Sequence, residues 1–156
     1  MTIELDFSKL RGQDILDVAI AIEDEATLYY EQLADWVGDD KAEVADFFNR
    51  MAGWEKRHHD QLVVQRERLF PDAPKSHAEK VSWAVEAPDY DAVPNDVTLK
   101  QAFDIAMDAE TRAHDFYAGA LEYAADEKVA ELFEGLRKAE ADHQRMLREE
   151  MAKLVD

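Results

Sequence analysis

Six residues stand out by type and spacing: Glu23, Glu55, His58, Glu110, Glu140 and His143. Glu55 and His58 form a Glu-x-x-His step, and Glu140 and His143 form a second. On a helix that step puts both side chains on one face about one turn apart, so a single helix can grip a cation from two levels. Glu23 and Glu110 stand alone, each followed by alanines and a tyrosine at matching offsets, Ala26 and Tyr30 in one case, Ala113 and Tyr117 in the other. Carboxylates buried together repel one another and are strongly penalised unless something compensates them. Two divalent cations would balance four carboxylates beside two neutral imidazoles.

The elements that must position these residues are long helices. All four prolines, Pro71, Pro74, Pro88 and Pro94, fall in one window between Leu69 and Val97. Proline inside a helix loses a hydrogen bond and clashes with the preceding turn, so that window is a connection. The flanks are rich in Ala, Leu, Glu, Lys, Gln and Arg, which favour helix. Breaks at Val37-Gly38-Asp39-Asp40 and Ala125-Asp126-Glu127 divide each flank. Helices are expected over 11–37, 41–69, 98–125 and 127–154, with Thr98 and Gln101 as a capping box. Gly53, Gly119 and Gly135 fall inside helices, where each would mark a close contact.

Apolar residues recur at alternating spacings of three and four, the pattern of a bundle core. The seams read Leu16, Ala19, Glu23, Ala26, Tyr30, Leu33, Val37, then Val44, Phe48, Met51, Glu55, His58, Leu62. The other two read Leu99, Phe103, Ala106, Glu110, Ala113, Tyr117, Ala120, Ala124, then Val129, Phe133, Leu136, Glu140, His143, Leu147. A glutamate interrupts every seam near its middle, and no seam carries a Lys or Arg to neutralise it. One glutamate from each of two helices, with Glu-x-x-His from each of two others, is the donor pattern of di-iron and di-manganese carboxylate bundles. Ala19, Ala26, Ala106 and Ala113 leave space beside the lone glutamates.

The halves repeat. Val44, Phe48, Met51, Glu55 and His58 match Val129, Phe133, Leu136, Glu140 and His143 at one constant offset. Two copies of a helical hairpin, joined by a crossover over about residues 70–97, make a pseudo-symmetric four-helix bundle within one domain, 1–156.

Composition narrows the classes. With 36 acidic against 18 basic residues and a net charge of −18, the chain lacks the cationic stripe that nucleic acid or an anionic membrane requires. Zero cysteine excludes disulfides, thiolate metal sites and thiol catalysis. The N-terminus has no secretory pattern and no apolar run is long enough to span a bilayer, so a cytoplasmic protein is expected.

Other residues have plainer readings. Asp24, Glu25, Glu31 and Asp108 fall on other faces and are expected in solvent, as are His59, His77 and His114. Trp54, beside Glu55, is read as packing or interface. Tyr30 and Tyr117 are core aromatics or hydrogen-bond donors to the site glutamates. Ile15, Ile22, Tyr29 and Trp36 recur beside the first seam, either widening the core or forming a dimer face.

At these residues the sequence resembles the ferritin-like di-iron superfamily, and within it the rubrerythrin branch, over roughly residues 12–150. The resemblance rests on Ala21-Ile-Glu23-Asp-Glu-Ala26…Tyr30, Glu55-Lys-Arg-His58, Ala109-Glu110-Thr-Arg-Ala113…Tyr117 and Glu140-Ala-Asp-His143. It implies an all-α ferritin-like four-helix bundle in which Glu23, Glu55, His58, Glu110, Glu140 and His143 bind two iron ions. Glu55 and Glu140 would bridge, and Glu23 and Glu110 would be terminal. It implies a di-ferrous centre that reacts with hydrogen peroxide or dioxygen, an electron donor not identified by the sequence, and a homodimer. Two departures bear on this. Typical rubrerythrins carry a four-cysteine rubredoxin domain, whereas this chain has no cysteine. They also place a further glutamate three residues after the third-helix ligand, where this chain has Ala113. The expectation is thus a rubrerythrin-like oxidoreductase without the reductase domain. The alternatives are a ferroxidase-type iron-handling protein and a non-enzymatic helical module with a structural metal site. The same ligands also accept manganese or zinc.

Overall fold

The computed structural model describes residues 6–73 and 98–154. From residue 74 to 97 the expected crossover lies outside the described residues, as do Pro74, His77, Pro88 and Pro94. Four long helices carry the architecture: α1 Gly12–Val37, α2 Ala42–Leu69, α3 Leu99–Leu121 and α4 Glu127–Lys153. Short 3-10 turns sit at Phe7–Lys9 and Gly38–Lys41, and no strand occurs among the described residues. None of these helices is long and apolar enough to cross a membrane.

Local chemistry sets the ends. Gly38 closes α1 at φ 62°, a left-handed conformation in which a Cβ would be strained. Thr98 and Gln101 form the expected reciprocal box: the Gln101 N–H donates to Thr98 Oγ1 at 3.1 Å and the Thr98 N–H donates to Gln101 Oε1 at 2.8 Å. Asp126 accepts from the Val129 N–H at 3.0 Å and from Arg68 at 2.6 Å, so the cap of α4 also ties down the end of α2.

α3 ends at Leu121, short of the expected 125. Its last turn tightens through Tyr123 N–H to Ala120 O at 3.0 Å. Phe7 of the N-terminal segment stacks on Tyr123 with ring centroids 5.7 Å apart. Gly119 admits that ring, since a Cβ there would lie 2.6 Å from Phe7 Cε2. The close approach at Gly119 is therefore to the N-terminal segment, while Gly53 and Gly135 face open space.

α1 pairs with α2 and α3 with α4, and the two hairpins meet through α2 against α4 and α1 against α3. The seams point inward almost throughout; only His58, Leu99 and Ala124 are half-buried. Ile15, Ile22 and Tyr29 are buried as well, so that stripe widens the core and leaves only Trp36 exposed.

The core falls into two apolar clusters. One gathers Leu16, Ile22, Leu62, Phe116, Tyr117, Phe133 and Leu136; the other gathers Tyr30, Leu33, Phe47, Phe48, Met51, Phe103 and Leu147. The repeat survives in the packing: Tyr30 lies against Phe48 at 6.2 Å between centroids, and Tyr117 against Phe133 at 5.7 Å. A buried ion pair, Arg66 Nε to Asp17 Oδ1 at 2.8 Å, links α2 to α1. Arg66 also donates to the carbonyls of Phe70 and Ala73, closing the exposed end of α2.

Candidate metal centre

Between the two clusters lies a polar layer. Glu23, Glu55 and Glu140 are 0 % exposed and Glu110 1 %. One glutamate comes from each helix, as the seams required. Their donor atoms gather in two overlapping sets, Glu23, Glu55, His58 and Glu140 in one and Glu55, Glu110, Glu140 and His143 in the other. Within each set the atoms lie within 4.8 Å of one another, and Glu55 and Glu140 belong to both. All six residues singled out by spacing meet here.

The tyrosines resolve the open alternative: they are both core aromatics and donors. The Tyr117 hydroxyl of α3 donates to Glu23 Oε1 at 2.6 Å, and the Tyr30 hydroxyl of α1 donates to Glu110 Oε1 at 2.5 Å. Each bond crosses between hairpins and occupies one carboxylate oxygen. The other oxygen, Oε2 of Glu23 and of Glu110, is buried without a hydrogen bond, as are both oxygens of Glu55 and of Glu140. The Nδ1 atoms of His58 and His143 are in the same condition. His143 Nδ1 lies 2.8 Å from Glu55, 3.4 Å from Glu110 and 3.8 Å from Glu140, close contacts that converge on shared space without aligned hydrogen bonding. His58 Nδ1 lies 3.8 Å from Glu23 Oε2.

Such a set of orphaned buried acceptors is costly. Oxygen and imidazole donors facing one small space are what divalent first-row metals accept, so the residues fit a metal pair. Ala19, Ala26, Ala106 and Ala113, all buried, keep the surrounding volume small in side chain.

Without a cation, protons carry the compensating charge. Burial pushes the Glu55 carboxyl well up, reinforced by the charges of Glu23 and Glu110. Burial does the same at Glu140, with Glu110 and Glu55 adding to it. For Glu23 burial also acts upward, but the adjoining Glu55 carboxyl, His58 and the Tyr117 hydroxyl outweigh it and the net direction is down. Glu110 is likewise pushed up by burial and drawn lower overall by His143, Glu140 and Tyr30. His143, which burial alone would lower, is raised well above its usual value by Glu110 and Glu55. Burial and mutual repulsion thus favour the protonated form at Glu55 and Glu140, the neighbouring carboxylates favour it at His143, and hydrogen bonds favour the charged form at Glu23 and Glu110.

The remaining candidates lie elsewhere. Asp24, Glu31 and Asp108 are exposed, as expected, but Glu25 is half-buried. Glu25 lines a surface cleft of about 680 Å³ with Asp17, Asp24, His59 and Arg66 on the outer side of α1 and α2, and none of the six residues reaches it. His59 and His114 are half-exposed beside Asp60 and Asp115. Trp54 packs on His143, with ring centroids 5.7 Å apart and planes at 25°. Its position next to Glu55 was visible in the sequence; its partner on another helix was not.

Comparison with known proteins agrees with this architecture. No curated protein matches the chain. An uncharacterised conserved protein from Magnetospirillum magnetotacticum MS-1 is similar at 27% identity, with a TM-score of 0.75 over 92% of this chain and 95% of that one. A hypothetical protein from Pyrococcus furiosus shares the fold, at 24% identity and a TM-score of 0.72 over 94% of each chain. The rubrerythrin family model matches residues 14–151, which span all four helices and all six clustered residues. With its fold, its paired hairpins and this match together, the chain belongs to the rubrerythrin family.

Proposed function

We propose that the layer binds two iron ions and that the protein is a non-haem di-iron oxidoreductase acting on hydrogen peroxide or dioxygen. One observation carries this reading: two four-residue donor sets that share Glu55 and Glu140. In it Glu55 and Glu140 would serve both positions, Glu23 with His58 would complete one, and Glu110 with His143 would complete the other. When bound, a ferrous pair supplies two electrons, one from each ion, for cleaving an O–O bond.

The chain's own residues do the rest. Tyr30 and Tyr117 hold Glu110 and Glu23 by one oxygen each, which fixes the second oxygen toward the interior. Glu55 and Glu140 release protons when cations replace them, because the same oxygens cannot serve both. The apolar clusters on either side shut out bulk water and strengthen every charge interaction in the layer. Peroxide reduction draws its electrons ultimately from an external donor, and Leu28 and Trp36, exposed on α1, suit the homodimer that we also propose.

A ferroxidase-type role, in which iron is bound, oxidised and passed on, has one observation in its favour. Ala113 stands fully buried beside Glu110, where typical relatives carry another carboxylate. Metal content separates the two. Protein purified without added metal should hold two irons per chain and, once these are reduced anaerobically to the ferrous state, oxidise them on a pulse of peroxide. Many irons taken up per chain would favour iron handling, and no oxidation at all would leave a structural metal site.

A further inference from the structure

The internal repeat makes the two metal positions look alike in sequence, yet they are not alike in the fold. The offset that carries Glu55 to Glu140 and His58 to His143 carries Trp54 to Ala139. Trp54 lies near-parallel to the His143 imidazole, with ring centroids 5.7 Å apart and planes at 25°. The His143 ring also lies near-parallel to that of His58, with centroids 5.8 Å apart and planes at 19°. His143 thus has two near-parallel ring neighbours, Trp54 and His58, whereas at the position that the repeat relates to Trp54 the sequence supplies only the methyl of Ala139. The His143 side chain is 5 % exposed, whereas that of His58 is 14 % exposed. His143 Nδ1 also has three carboxylates within 4 Å, while His58 Nδ1 has Glu23 alone at 3.8 Å.

We infer, on the two-ion reading above, that the centre has one closed end and one open end. Trp54 locks His143 and encloses the ion held with Glu110. The ion held with Glu23 and His58 is the exchangeable one, and the His58 end is the route by which ions enter and leave. Trp54 acts here as a positioning residue: it touches no ion and works by restricting the imidazole that does. A small side chain at Ala139 leaves His58 free to swing out, and one substitution there would close the second end.

Release kinetics read this without measuring turnover. Protein loaded anaerobically with ferrous iron is mixed with excess bipyridine, and the absorbance of the ferrous chelate is followed. The wild type should release its two ions in two phases of equal amplitude, separated by about tenfold or more in rate. W54A should speed the slow phase until the two merge. W54F keeps an aromatic ring on His143 and should retain the slow phase. A139W should slow the fast phase and leave the slow one in place. Release of both ions in a single phase from the wild type overturns the inference, as does an unchanged fast phase in a folded A139W that still carries two ions. Where A139W does not fold, W54A and W54F decide between them, and equal release rates in that pair overturn it. Fewer than two ions bound to the wild type is a different result: it removes the two-ion reading itself, and this inference with it.

Discussion

Tyr117 on α3 donates its hydroxyl to Glu23 on α1, 94 residues away in the chain, at 2.6 Å. The repeat returns the bond with the roles exchanged, from Tyr30 to Glu110. Each hairpin thus supplies the donor that holds the other hairpin's acid. Removing one hydroxyl by Tyr117→Phe should destabilise the metal-free protein by about 1.5–3 kcal/mol, the range for a hydrogen bond to a charged group. It should also weaken metal binding by about 10–100-fold, because the Glu23 carboxylate loses its orientation. Urea unfolding and a metal titration check both, and unchanged affinity would show that Glu23 is oriented by something else.

The bridging role proposed for Glu140 makes it decisive. Glu140→Ala should abolish fast peroxide-driven oxidation of bound iron, while Glu31→Ala, on the exposed face of α1, should leave it close to wild type. Stopped-flow absorbance after anaerobic mixing with peroxide makes the comparison. Equal losses in the two variants would place the site on the wrong helix face.

Metal-free stability should fall as pH rises. Glu55 and Glu140 titrate well above the ordinary value of 4.5, and His143 well above 6.5, so in this range the folded chain holds protons that the unfolded chain has released. Their contribution is complete below those ordinary values and is lost as pH rises through the raised ones. Glu23 and Glu110 act oppositely: their contribution is present above 4.5 and disappears on acidification. The metal-free protein should therefore be most stable in mild acid and weaken toward alkaline pH. Metal affinity should rise over the same interval as protons leave the ligands. Melting temperatures with and without metal across pH should diverge upward, and parallel curves would contradict the assignment.

A neutral isostere separates charge from shape. Glu55→Gln removes a buried carboxylate that repels Glu23 and Glu110 once ionised. In the metal-free state at alkaline pH it should stabilise the protein by about 1–4 kcal/mol, the range found when buried charges are replaced. With metal the order should reverse, since the variant loses the ligand proposed to serve both ions. Thermal unfolding at one alkaline pH, with and without chelator, gives both signs.

The helices, their inward faces and the six clustered residues were legible because they depend on local spacing. Leu16 to Val37 reads as a seam whatever lies opposite, and a glutamate inside a seam is conspicuous wherever it occurs. What spacing cannot supply is the partner across the bundle. Tyr30 and Tyr117 could be core or donor until the opposite hairpin placed Glu110 and Glu23 against them. The stripe Ile15, Ile22 and Tyr29 offered a dimer face or a wider core, and neighbouring helices decided for the core. α3 stops at Leu121, while the run of good helix formers continues, and Phe7 from the far N-terminal segment packs on Phe116 and Tyr123 at that end. Glu25 is half-buried and lines a cleft formed with α2, which no feature of α1 alone announces.

The two reciprocal tyrosine bonds join residues 80 and 94 positions apart, and every shared donor set draws on both hairpins. A helical hairpin closes a short loop and forms early, whereas contacts of this separation must wait for two preformed hairpins to dock. During folding, the first hairpin displays Glu23, Glu55 and His58 with neither tyrosine bond in place and only part of each donor set. Such a fragment holds a cation weakly and holds no pair. On the two-ion reading, the polar layer cannot be complete until the hairpins dock, so uptake of a second ion by a refolding chain would report docking.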